Sequence, residues 1–363
     1  MSGILDWRSA TRLAAGVAGA LFLILALLAL TSDNVPASVD GLLTGAVSSP
    51  GRTAQWLSYS SYLMFTGASV CLVFRVGMFS IGAEGQVFIA ALTSGVVALA
   101  LGPSAFALPL AVLAAAVGGA AWALLPGLMK AYLNADEIVT TLMLNFVATF
   151  AFAFVIKEAL LPEGAGFPVS EYFDKASWLP KWGTSPAIPS SLVLAILSCV
   201  AVSVLLNRSR LGFRLRMVGD SRPFARANGY PVRRLICVAF VVSGAVAGLA
   251  GAAIAFGGTH RLIVGMGAGI GFEGVLVALL AVNRPALVPL TALAYGYLRT
   301  GGEIIQITGN VPRDVVVVLQ GLLIIGLAAL LRRRDARSRT PMKAAPVDTL
   351  DHQSAGRHHR GDR

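Results

Sequence analysis

Apolar residues along this chain fall into long uninterrupted runs, not into the strict alternation of a half-buried strand or the narrow stripe of a water-facing helix. Ten runs can be drawn, at 13–30, 57–74, 86–101, 106–129, 138–156, 188–206, 235–256, 270–282, 285–299 and 314–331. About 20 residues of helix are needed to cross the hydrocarbon core of a bilayer. Most of the runs meet that length, while 270–282 and 285–299 fall short of it. A transmembrane β-barrel would alternate lipid-facing and lumen-facing residues, which continuous runs exclude. The pattern therefore predicts an all-α polytopic membrane protein with about ten transmembrane helices. The first run follows Arg8 and Arg12 and has the outline of a secretory signal; its length, with nine runs behind it, reads as an uncleaved first helix.

Composition agrees: of 363 residues, 56% are apolar and 13% charged, against about 25% charged in a soluble domain. Ten spans leave no room for a second soluble domain of ordinary size. The net charge of +11 has the size of a nucleic-acid signature until it is located. The loop 207–234 holds eight Arg against one Asp, and the tail 332–363 holds nine Lys or Arg against four Asp. These two stretches account for the whole excess, which is the positive-inside signal of a membrane protein and calls for no nucleic acid. Loop, tail and N-terminus should then share the cytoplasmic side of the membrane, with 31–56 and 157–187 outside. Six runs precede the loop and four follow it, so the parity is right. Tyr172, Trp178 and Trp182 in the outer segment read as interfacial aromatics or as a docking surface for an external partner. The tail is expected to be disordered. Cys71, Cys199 and Cys237 lie inside apolar runs, where a thiol is a small hydrophobe; no disulfide, metal site or cofactor is implied.

One interruption of the apolar pattern repeats. Ile81-Gly-Ala-Glu84-Gly85-Gln86 precedes the third run and Ile270-Gly-Phe-Glu273-Gly274 opens the eighth. Gly127-Leu-Met-Lys130 before Asp136-Glu137 and the fifth run matches Gly296-Tyr-Leu-Arg299 before Arg313-Asp314 and the tenth. Ten spans would put Glu84 toward the cytoplasm and Glu273 toward the outside, so the echo suggests two inverted five-helix halves, an arrangement in which Gly-interrupted helices mark the solute path. Chance similarity among Gly-rich apolar stretches is the alternative. Charge inside a bilayer is costly, so Glu84 and Glu273, with Gln86 and Asn145, either line a pathway or are tied to cations such as Arg75, Lys130 and Arg299.

Within 207–234, Ser221 is a candidate N-cap, Pro223 stands in the first turn and Gly229 closes the segment. A short helix is predicted, bearing Phe224, Ala225 and Ala227 between Arg222 and Arg226. It could dock in a groove of a cytoplasmic protein or hold anionic lipid.

From about residue 60 to 330 the chain resembles the permease subunits of ATP-binding-cassette importers of the nucleoside and simple-sugar type, relatives of the ribose and branched-chain amino acid permeases. The likeness rests on Ile81–Gln86, on Asp136-Glu-Ile-Val-Thr-Thr-Leu-Met-Leu-Asn145, on Gly212-Phe-Arg-Leu-Arg-Met-Val-Gly219 with Ala225 to Gly229, and on Gly271-Phe-Glu-Gly-Val-Leu-Val-Ala-Leu-Leu280. Ser80, Asp136 and the turn at Asn283-Arg284-Pro285 depart from the family's usual residues. The resemblance implies a permease domain over 1–331 and Glu84, Gln86, Asn145 and Glu273 near the translocation path. It also implies a coupling element at Gly219, Arg222, Phe224, Ala225, Arg226 and Gly229. The partners it implies are a cytoplasmic ATP-binding subunit, a second permease, identical or homologous, and an extracytoplasmic substrate-binding lipoprotein. No Gly-x-x-x-x-Gly-Lys-[Ser/Thr] loop is present, so ATP hydrolysis is expected on another chain and this one is not expected to be an enzyme. An ion-coupled secondary transporter, with Glu84 and Glu273 binding protons or Na⁺, is the other transport mechanism that these residues allow.

Overall fold

The computed structural model describes residues 34–308 together with 311, 312, 315, 318 and 321. The expected first span at 13–30, nearly all of the tenth at 314–331, the Arg313-Asp314 pair and the basic tail lie outside the described residues. Eleven helices are described: α1 Val35–Thr44, α2 Pro50–Phe74, α3 Ala83–Leu101, α4 Ala107–Leu133, α5 Glu137–Ala159, α6 Ser190–Arg208, α7 Arg210–Asp220, α8 Arg222–Ala227, α9 Val232–Ala253, α10 Ile270–Leu280 and α11 Val288–Thr308. One two-residue antiparallel pair, β1 Lys181–Trp182 with β2 Ile188–Pro189, completes them.

Six of these helices are long and apolar enough to cross a membrane: α2 to α6, and α9 with the wide π turn Ile254–Thr259 that continues it. They coincide with six of the predicted runs. The two short runs behave differently. Helix α10 and the segment Pro285–Ile307 are bent by 107° across a break, so together they make one broken span or a re-entrant loop. The segment 31–56, read as an outer loop, holds the short helix α1, which Asn34 caps by accepting from the Ala37 N–H at 3.2 Å.

Helix α2 is the axis of the bundle: every residue from Ser60 to Val73 is buried, as befits a helix apolar all round. Helices α4, α5 and α6 form the rim. Their side chains are mostly exposed, the expected state of a surface that meets lipid. Where α4 crosses α9, Gly119 and Gly244 leave the two backbones in contact: a Cβ on either would overlap the carbonyl oxygen of the other. Small residues serve this purpose in lipid, where close packing replaces the hydrophobic drive. Serine pairs add polar ties, Ser69 to Ser243 and Ser61 to Ser191, each at 2.8 Å.

Two ends of the bundle are distinguishable. At one, α7 and α8 pack against the loop that follows α2; this is the hinge end. At the other, the segment before β1 is stitched to the chain beyond α9 by Leu179 N–H to Phe256 O at 3.0 Å, Phe173 N–H to His260 O at 2.9 Å and Ser170 N–H to Leu262 O at 2.9 Å. This is the cap end. Here Trp178 stacks on His260 at 4.0 Å and Arg261 lies 4.5 Å over the Tyr172 ring, while Trp182 is exposed. Burial, and after it the charge of Lys181, holds the His260 imidazole below its ordinary pKa.

Candidate functional site

The two halves of the sequence echo meet in the interior. Helix α3 starts at Ala83 and α10 at Ile270, and Gly271 packs so closely on Glu84 that a Cβ would overlap its backbone nitrogen. Glu84 is buried, and its carboxylate accepts from the N–H groups of Gly269 at 2.6 Å and Gly271 at 2.7 Å. It therefore caps a helix 185 residues or more farther along the chain, satisfying two of the amides that a helix start leaves without partners. A carboxylate is also the favourable charge at the positive end of the helix dipole.

The expectation that Glu84 and Glu273 lie toward opposite faces is thus corrected. Gly251 of α9 packs on Val87 and Ala91 of α3, and Leu262 packs on Gly95, so α3 and α9 run the same way. Past its cap-end turn the chain folds back into the bundle before α10 begins, which brings Gly271 to the level of Glu84. Gly274 then packs on Thr66, well inside α2.

Asn145 holds the first motif from the side. Its Oδ1 accepts from Gly85 N–H and its Nδ2 donates to Ile81 O, both at 2.9 Å. One turn earlier on α5, Thr141 accepts from Ile81 N–H at 3.3 Å. A non-helical stretch within a membrane bundle must find its partners in protein, and these two side chains supply them. Gln86 is buried, and among the described residues its Oε1 has no partner; the indole N–H of Trp122, against Gly85, has none either.

Glu273 follows a different logic. It pairs with Arg299 of α11, whose guanidinium lies 4.2 Å over the Tyr59 ring and also approaches Glu303 at 3.8 Å. In the first half Lys130 pairs with Glu137 at 2.6 Å, so each of the echoed cations has an acidic partner. Glu84 is thus taken up by two amides, whereas Glu273 is held through one oxygen by the guanidinium and its Oε2 is buried with no hydrogen-bond partner among the described residues.

At the hinge end the short helix predicted around Phe224 is present as α8. Ser221 Oγ accepts from Phe224 N–H at 3.4 Å, and Gly229 takes φ +75° beyond its end. Phe224 and Arg226 are exposed, but Ala225 is fully buried, with its carbonyl bonded to Tyr230 N–H at 3.0 Å. Ala225 thus anchors the helix and is not available to a partner, which corrects its grouping with Phe224. Behind α8, Gly219 touches the Arg75 carbonyl so closely that only glycine fits. Arg222 reaches the Gly77 carbonyl at 3.4 Å. The loop so gripped is the one that runs into Ile81-Gly-Ala-Glu84.

Sequence reasoning missed Thr141, Trp122 and this loop. Thr141 was findable: it stands four residues before Asn145 on one face of an otherwise apolar helix.

Comparison with known proteins agrees with the architecture. The glucose ABC transporter permease TsgB13 of Haloferax volcanii is 33% identical over 276 residues, 73% of each chain. The guanosine ABC transporter permease NupP of Bacillus subtilis is 30% identical over 286 residues, 78% of this chain and 82% of its own. The nucleoside ABC transporter permease NupB of Lactococcus lactis is 28% identical over 300 residues, 80% of this chain and 82% of its own. The family model described as "branched-chain amino acid transport system / permease component" matches residues 52–328, and the chain belongs to that family of membrane permeases.

Proposed function

We propose that this chain is the membrane-embedded permease of an ATP-driven importer carrying nucleosides or simple sugars. In this reading the domain covers 1–331 and has about ten crossings in two inverted halves, with the bent pair of α10 and α11 in the second half. The hinge end and both termini face the cytoplasm of a bacterium, and the cap end faces out, toward a substrate-binding lipoprotein. A second permease, identical or homologous, completes the channel.

The observation that carries the reading is the grip of α7 and α8 on the loop before Glu84. A push on Phe224 and Arg226 by an ATP-binding subunit is passed through Gly219 and Arg222 to that loop, and from Glu84 to the start of α10. The two motifs then shift against each other and open the path. Gln86 and Asn145 lie beside it, where the unpartnered Gln86 oxygen is placed to accept from a ribose or sugar hydroxyl. Glu273, held by Arg299, lines the α10 side.

Labelled guanosine and glucose uptake in membranes carrying the complete transporter tests the class. Uptake should stop on ATP depletion and persist with a protonophore at constant ATP; the reverse pattern would establish an ion-coupled carrier instead. The Phe224→Asp variant should insert at normal levels yet lose roughly tenfold or more of its uptake, because an anchor residue at an interface carries much of its energy. Unchanged uptake in that variant would remove the docking role of α8.

A further inference from the structure

We infer that the cleft between the end of α6 and α7 is a binding site for the phosphate headgroup of an anionic phospholipid. The cleft measures about 440 Å³ and is lined by Arg208, Arg210, Arg214 and Arg216, with Phe213 and Tyr230 among its other walls. Among the described residues no carboxylate pairs with any of these four arginines. Four guanidiniums around one opening make a strongly anion-attracting concavity, and their forked donors match phosphate oxygens.

The approach to the cleft identifies the occupant. Along α6, Leu197, Val200 and Val204 are 59%, 52% and 52% exposed. Their spacing places them on one helical face, and that face continues to Arg208 at the mouth of the cleft. An apolar stripe that ends in an arginine-lined hollow presents an acyl-chain track and a headgroup seat in the right order. Phe213, 49% exposed on the amphipathic helix α7, sits where the two meet. A docked protein would have no use for a track that runs along the lipid-facing rim, and a free phosphate would need only the arginines. This is a localised site and differs from the diffuse attraction that any basic loop has for an anionic leaflet.

The test uses the full chain, purified with its ATP-binding subunit and placed in nanodiscs of phosphatidylcholine with or without phosphatidylglycerol. Native mass spectrometry after release should count phosphatidylglycerol adducts retained in preference to phosphatidylcholine. Neutralising three arginines together, R208Q, R210Q and R214Q, should lower that retention roughly tenfold. The charge-preserving set R208K, R210K and R214K, which controls for folding, should keep most of it. Excess inorganic phosphate should displace little, because it lacks the acyl chains. Four results would overturn the inference: no preference for phosphatidylglycerol in the unaltered chain, equal retention in the glutamine variant, full displacement by inorganic phosphate, which would mark a soluble anion site, or retention by the permease purified alone that is absent from the complex with the ATP-binding subunit, which would assign the cleft to a protein partner.

Discussion

Replacing Glu84 by alanine should destabilise the permease by about 2–6 kcal/mol, because it strands two amides, one buried and one part-buried, each orphaned donor costing about 1–3 kcal/mol. The amides are those of Gly269 and Gly271, and among the described residues no other side chain is bonded to them. The loss falls on the junction of the two motifs, so uptake should fall further than membrane abundance does. Glu84→Gln makes the sharper comparison. Its amide keeps one accepting oxygen but turns an NH₂ donor toward the second N–H, so about half of the loss should return. Thermal denaturation in detergent, read by intrinsic fluorescence, measures both variants. A Glu84→Ala protein as stable as the parent would show that the capping contact contributes nothing.

The second large effect is expected at the crossing of α4 and α9. Gly244→Val puts a branched side chain where the Gly119 carbonyl and the Ala123 methyl already stand. Both neighbours belong to a helix that cannot shift without opening the seam along Gly248 and Ala115. Overpacking of a tight core costs about 1–3 kcal/mol when a side chain can yield; here it meets backbone, so at least about 3 kcal/mol and poor membrane accumulation are expected. Gly51→Ala is the control. Nothing lies within 4 Å of a Cβ at that position of α2, and alanine is the better helix former by up to about 1 kcal/mol. Comparable abundance of the two variants in membranes would contradict the close backbone approach.

The fold was legible where hydropathy alone decides. Helices α2 to α6 and α9 are long apolar stretches, and no competing structure accommodates them. The caps of α8 could be read for a similar reason, since Ser221, Pro223 and Gly229 act within one turn of themselves. The paths of α10 and α11 were not. An apolar run of thirteen residues has the same composition whether it crosses a membrane or enters and returns, and the 107° bend is set by contacts with α2 and α3. For that reason Glu84 was placed toward one face although its amide partners sit far along the sequence. Ala225 was misjudged because six residues are too few to show which side of a helix is buried. Helix α1 is apolar but too short to stand out as a span, although Asn34 followed by Pro36 is a helix-start signal.

The identical course of α3 and α9 has a mechanical consequence. Helix α9 begins three residues past Gly229 and runs without a proline to the π turn whose carbonyls hold Leu179 and, just beyond, Phe173. It is a stiff strut with the gripped loop at its foot and the stitched aromatic lid at its head. Tilting such a strut at the foot swings the head by a comparable angle, so the lid and the foot keep time through geometry alone, without any signal passing along side chains.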